Sequence, residues 1–321
     1  MLRAFRLAYR MQRFELRLLI GAALLVAVAA LAIAWQTRVV RDEQLACYRD
    51  APTTVEGSLD SPCSAQDSSL VVLEQAAAFV KAGVVATPIL LGLFLGIPLV
   101  AREVESRTAQ LAWTISRSRR RWLLQRATPV LGTLVVACLA GGIAGDVLVH
   151  AAPWVEGSDP GFSDWWARGP QVAVRGIAVG AIGLVVGAFM GRQLPALLLA
   201  GLCTFALFVS ASLILDGWME AAAEPVVVGP DQIVSGKIYG SAVRGDATGE
   251  VISYERAYES FGESFGEEID EFGNPVGYSQ VYFMVPSRRY GEFVLYEAAI
   301  FGLVALAGIG AATQIVANRR P

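Results

Sequence analysis

The sequence predicts an all-α polytopic membrane protein: six transmembrane helices, an N-terminal interfacial helix and a small extracytoplasmic α/β lobe before the last span. Three observations carry this. Of 321 residues, 55% are hydrophobic and only 17% are charged, against about 25% charged in ordinary soluble domains. Six apolar runs are each long enough to cross a bilayer as a helix, which takes about 17 to 25 residues. The charges are also sorted, with arginine concentrated in alternate connections and acid in the others.

The six runs cover 18–35, 83–101, 129–150, 172–191, 194–215 and 293–316. The first is too long for the apolar core of a signal peptide, and Trp35-Gln36-Thr37-Arg38 offers no small-residue cleavage site. The fourth and fifth form a hairpin around Arg192. Ahead of the first run, arginines 3, 6, 10, 13 and 17 alternate with Leu2, Phe5, Leu7, Met11 and Phe14. Spacings of three and four put them along one stripe, which predicts a helix over 1–17 lying in the headgroup layer.

Loop charge sets the orientation, because lysine and arginine collect in short cytoplasmic loops. The N-terminus, the 101–127 connector, the Arg192 turn and the tail hold fifteen basic and three acidic residues. The rest of the chain holds eleven basic and twenty-six acidic residues. Both termini are therefore expected in the cytoplasm. Arginine supplies 24 of the 26 basic residues, which suits a GC-rich bacterial genome and a bacterial plasma membrane.

Cys47 and Cys63 fall in the first extracytoplasmic loop, and an oxidising compartment makes them a disulfide candidate, with two free thiols as the alternative. Cys138 and Cys203 lie inside spans, where a small buried side chain is the ordinary reading. There is no C-x-x-C spacing, and His150 is the sole histidine, so no metal site or catalytic triad is expected.

The loop over 217–292 is the largest and carries 5 basic and 13 acidic residues. Its first half, with PVVV, DQIVSGKIYGSAV and EVISY between glycines and prolines, reads as short strands. Further on, Tyr254, Tyr258, Phe261 and Phe265 recur at helical spacing and predict an amphipathic helix. The chain thus divides into 1–17, the spans and connector over 18–216, the 217–292 lobe, and a last span with its tail over 293–321.

Within the spans, Gly176, Gly180, Gly183, Gly187 and Gly191 let another helix approach closely and predict a packing face. Asp146, Arg175 and Glu297 are ionisable residues in or at the edges of spans, where such groups usually face a bundle interior or water. Glu297 and Asp146 are the candidates for a translocation path. Arg175 and Asp146 could instead snorkel to the interface.

The connector carries more than a topology signal needs. In AREVESRTAQLAWTISRSRRRW, six arginines accompany Thr108, Gln110, Leu111, Ala112 and Trp113, which suit short helices with an exposed Trp113. Ser116 or Ser118 could cap a helix starting near Arg119. The arginines at 119–121 are suited to the anionic inner leaflet. The sequence contains no GxxxxGK[ST] phosphate loop, so ATP chemistry would have to come from elsewhere.

GIPLVAREVESRTAQLAWTISRSRRRWL resembles the connector between spans two and three in type-2 ABC transporter permeases, in particular an actinobacterial-like branch. Pro98, Arg102, Glu103, Glu105, Thr108, Leu111, Trp113, Thr114 and Trp122 match, and Arg107 stands where the pattern has glycine. VPSRRYGEFVLYEAAIF is similar to the entry of that family's last span, with Pro286, Ser287, Arg288 and Glu297 corresponding. The resemblance implies a non-enzymatic transmembrane subunit of an ATP-driven exporter for a small or amphipathic substrate. It also implies two cytoplasmic ATPase subunits holding ATP and magnesium, a second permease copy or homologous permease, and no cofactor on this chain. Glu103, Glu105, Thr108, Leu111, Trp113 and Thr114 would couple the permease to the ATPase. Membrane lipid is an expected partner and nucleic acid is not. A non-transporting membrane scaffold or immunity protein with permease-like topology is the alternative.

Overall fold

The computed structural model describes residues 13–50, 63–109, 113, 118–151, 162, 164–227, 236–245, 248–253, 256 and 278–319. The expected interfacial helix over 1–17 lies mostly outside them. So do Leu111, Thr114 and the amphipathic helix expected around Tyr258 and Phe261. The helices are α1 (Arg13–Asp50), α2 (Ser64–Gly96), α3 (Pro98–Glu105), α4 (Arg119–Ala151), α5 (Gln171–Met190), α6 (Gln193–Ala221) and α7 (Tyr290–Asn318). The strands are β1 (Glu224–Val227), β2 (Gly236–Gly245), β3 (Val251–Ser253) and β4 (Tyr278–Pro286). Six helices are long and apolar enough to cross a membrane, with α2 and α3 running on as one.

The chain forms two compact units, one made of 1–152, 164–211 and 297–321 and the other of 153–163 and 212–296. In the first unit α2 and α5 make the centre. The most apolar windows of these two are 67% and 72% buried, against 22%, 17% and 22% for α1, α6 and α7. Small residues explain this. A Cβ on Gly96 would fall on the carbonyl oxygen of Gly180, and one on Gly187 would meet the backbone of Ile97. Backbones that touch this way gain dispersion contacts that longer side chains would forbid. The glycines of the fourth run thus serve two neighbours: Gly183 and Gly187 pack on Gly92 and Ile97, and Gly176 and Gly180 on Leu134 of α4.

The breaks in these helices follow from local chemistry. Pro98 occupies the first turn of α3, where its missing N–H leaves nothing unsatisfied. Ser118 Oγ accepts from the Arg121 N–H at 3.2 Å, capping α4 where the sequence suggested. The α1 helix continues well past the first apolar run, because residues 36–50 contain neither glycine nor proline. It rises about 22 Å beyond Trp35. There Cys47 is disulfide-bonded to Cys63, with their Cα atoms 6.0 Å apart. Asp67 ties the same two arms, accepting from Gln44 Nε2 at 2.6 Å and from the Tyr48 hydroxyl at 2.8 Å.

The second unit contains an antiparallel sheet of order β1-β4-β2-β3. Pairing shifts between Ile238 and Gly240, leaving Tyr239 as a bulge. Ala242, Val243, Val281, Met284 and Val285 are buried. Pro225 sits on the edge strand β1, where proline is tolerated.

Candidate functional site: a connector platform and a buried ion pair

At the connector end of the first unit, α3 carries the two glutamates to different tasks. Glu103 is buried and ion-paired with Arg126 of α4. The guanidinium of Arg126 lies 4.8 Å from the centre of the Trp122 ring, and Trp122 meets Trp113 edge-on at 6.1 Å. Arg119 stacks on Trp113 at 4.9 Å. Each of the two flanking cations is attracted by the quadrupole of its ring, by about 0.5 to 2 kcal/mol depending on solvent access. This ladder fastens the connector to α4. Trp113 is therefore half-buried, not the exposed side chain the sequence suggested, and Glu103 works inside the protein.

Glu105 is exposed and accepts the Gln193 N–H at 3.1 Å, occupying the positive N-terminal end of α6. After it the backbone turns. Arg107 has φ 59°, a left-handed conformation that glycine adopts at no steric cost. Thr108 Oγ1 donates to the Glu103 carbonyl at 3.4 Å and shares a 2.9 Å bond with Ser106, satisfying the end of α3. Of the matched residues, Arg102, Glu105 and Thr108 show exposed side chains here.

At the opposite end, the chain enters α5 through a 3₁₀ turn, Trp165–Ala167, pressed onto α4. The Gly169 N–H donates to the Gly142 carbonyl at 3.1 Å. A Cβ on Gly142 or Gly145 would strike the carbonyl oxygens of Gly169 or Ala167. Non-helical backbone this far into a span needs cover from protein. Polar side chains stitch it in place. Lys81 pairs with Asp164 at 2.6 Å, and Arg168 with Asp146 at 2.9 Å. Gln171 Nε2 donates to the Trp165 carbonyl at 3.2 Å.

Arg175 is the centre of this cluster. Its Nη1 donates to the Trp166 carbonyl at 2.6 Å, its guanidinium lies 4.4 Å from the Trp166 ring centre, and its Nε donates to Glu297 Oε1 at 2.5 Å. Both side chains of the pair are 1% exposed. Around them Trp166 stacks on Phe208, and Phe208 meets Phe301 edge-on.

The structure thus brings Glu297 into the bundle interior and leaves Asp146 half-exposed, joined to Arg168 and near His150. Arg175 does not snorkel. It is the partner that sequence reasoning did not give Glu297, although one arginine and one glutamate stood near the same end of two apolar runs. Asp164 and Arg168 were missed too, because residues in a connection carry no periodicity, and Lys81 because it lies in α2 just ahead of the apolar run. At the other end, Arg119 donates to the Arg319 carbonyl and Arg120 Nη2 to Gln314 Oε1 at 2.7 Å. Two of the three clustered arginines are thus held by the end of α7.

No curated protein and no solved structure matches this chain significantly. The family model described as ABC-2 membrane transporter related matches residues 19–219, which include α2, α3, the connector and α4 to α6. By that match over more than half its length, the chain belongs to the ABC-2 membrane transporter related family.

Proposed function

We propose that this chain is the transmembrane permease subunit of an ATP-driven exporter in a bacterial plasma membrane, with both termini cytoplasmic. It moves a small or amphipathic substrate and works beside a second permease copy or a homologous permease. Two cytoplasmic ATPases supply the energy, with ATP and magnesium bound on them. The observation that carries this reading is the connector. Exposed Glu105 ends a helix continuous with the second span, and exposed Thr108, past the turn at Arg107, hydrogen-bonds back to the Glu103 carbonyl of that helix, so a push on them reaches α2. The family match supports it. So does the arginine distribution, which puts the connector on the cytoplasmic side. The Arg175–Glu297 pair lies in the interior where a path would run, and Glu297 belongs to that path; Asp146 stands at its edge.

Co-purification of the full chain with its ATPase, followed by a screen for compounds that stimulate ATP turnover in proteoliposomes, tests the reading. Glu105→Ala and Thr108→Ala are expected to insert normally while weakening ATPase association or uncoupling hydrolysis from transport. Normal association and transport in both variants would make the connector a charged retention loop.

A further inference from the structure

We infer that Arg319 is a positioning residue for coupling: it joins the end of α7 to the α5–α6 turn on which the connector also bears. The inference rests on the permease reading above and names a second route out of the connector. Four elements meet Arg319, at the end of α7, around Gly191. The first is α5, whose C-cap glycine has φ 65° and whose terminal Ala188 carbonyl accepts from Arg319 Nη1. Second is α6, whose Gln193 N–H is capped by Glu105. Third is α3, whose Val104 side chain, together with the Arg319 guanidinium, fills the space a Gly191 Cβ would take. The fourth is α4, through the bond from Arg119 to the Arg319 carbonyl.

The chemistry at the turn is matched on both sides. The end of α5 presents unsatisfied carbonyls and a partial negative charge, which a guanidinium neutralises. The start of α6 presents unsatisfied N–H groups and a partial positive charge, which the Glu105 carboxylate neutralises. A cation from α7 and an anion from the connector thus grip the two ends of one helical hairpin. When the connector moves, the α5–α6 turn moves with it through Glu105, and α7 follows through Arg319. The α7 helix also carries Glu297, so this route links the connector end to the buried ion pair within one rigid element. The carbonyl of Arg319 is bonded to Arg119 regardless of its side chain. Side-chain variants therefore cut the link to Ala188 and leave the link to α4.

The test uses the full chain in complex with its ATPase in lipid nanodiscs, with ATP and vanadate as the probe. Hydrogen exchange is followed by mass spectrometry at the connector, at 188–195 and at 310–319. In the wild type, trapping is expected to change exchange in all three segments. Arg319→Met keeps the apolar stem and removes the donors. It is expected to keep ATPase association and the connector response, and to lose the response in 310–319. Arg319→Lys, which keeps a cationic donor on a long stem, is expected to restore it. Arg319→Ala is read in the same way should the methionine variant not assemble. A wild-type response in 310–319 in Arg319→Met or Arg319→Ala, with the connector responding normally, would overturn the inference. So would failure of Arg319→Lys to restore the response. A wild-type complex that shows no response to trapping at the connector would sink the permease reading itself.

Discussion

Arg175 Nε donates to Glu297 Oε1 across 2.5 Å, and neither side chain is more than 1% exposed. Moving two charges into a low-dielectric interior carries a large desolvation cost, which their attraction and hydrogen bonds only partly offset. Breaking such a pair leaves one charge buried and alone, costing about 3 to 5 kcal/mol. Arg175→Ala and Glu297→Ala are therefore each expected to lower the thermal midpoint in detergent sharply. The double variant Arg175→Met with Glu297→Leu is expected to recover much of the loss. Strictly additive losses would show that the two side chains are not an energetic unit.

Glu297→Gln keeps the size of the side chain and an acceptor for Arg175 Nε, so it is expected to lose less stability than Glu297→Ala. If Glu297 lines a path, the glutamine variant changes substrate-stimulated ATP turnover by more than its stability loss accounts for. Unaltered transport at normal expression in both variants would remove Glu297 from the path.

Arg107 holds a left-handed conformation that costs a side-chain-bearing residue about 1 kcal/mol. Its side chain is exposed, so little packing is lost when it is removed. Arg107→Gly is expected to raise stability by up to about 1 kcal/mol, less the greater freedom glycine gives the unfolded chain. Arg107→Val, with a β-branched side chain in the same conformation, is expected to be destabilising. A valine variant as stable as the glycine variant would show that this turn does not constrain the connector.

The Cys47–Cys63 bond closes a segment of sequence separation 16. A loop of that length is worth about 3 kcal/mol in chain entropy. Cys47→Ser, Cys63→Ser and the double variant are expected to lose the same amount, because each removes the same cross-link. A double variant much less stable than either single one would mean that the thiols contribute separately. Intact mass under non-reducing conditions checks that the bond forms in membrane-extracted protein.

Lys237 is ion-paired with Asp216 and lies 5.1 Å from the ring centre of Tyr239. Burial lowers the Lys237 pKa, but the hydrogen bond to Asp216 and the attraction of Asp216 and Tyr239 outweigh it and leave the ammonium above its ordinary value. Burial raises the Tyr239 hydroxyl, against the opposing pull of Lys237. Both groups keep their protons more tightly folded than unfolded. Their stabilisation is complete below the unfolded values, about 10 for tyrosine and 10.4 for lysine, and is lost as pH rises through the higher folded values. The sheet unit is expected to melt earlier above about pH 10, and Lys237→Met to flatten that alkaline loss. An unchanged alkaline slope in Lys237→Met, followed by tyrosine fluorescence or circular dichroism, would rule out the lysine's part.

Much of the fold was legible because the signals are local. An apolar run of about twenty residues becomes a helix in lipid, since no other structure except a closed barrel satisfies its backbone there. The strand runs PVVV, DQIVSGKIYGSAV and EVISY overlap β1, β2 and β3, because glycine and proline bound them. Ser118 announced the start of α4. The candidate site was only half legible. Glu103, Glu105 and Thr108 could be picked out as a group, but Glu103 turns inward to Arg126 while Glu105 caps another helix. Spacing along one segment does not say which partner waits on a neighbouring helix.

The sequence by itself determined the membrane class, the six spans, the glycine face of α5 and the family. Each follows from the order of apolar, small and charged residues along one stretch. Only the tertiary structure decided that Arg175 meets Glu297, residues 122 positions apart, and that Arg319 reaches the end of α5. It also placed Asp146 against Arg168. Those pairings depend on how α4, α5 and α7 pack side by side, a matter of glycine contacts and helix crossings that no single stretch records. The physical reason is range: hydropathy and capping act over one helical turn, whereas a buried charge finds its partner only after the bundle has closed.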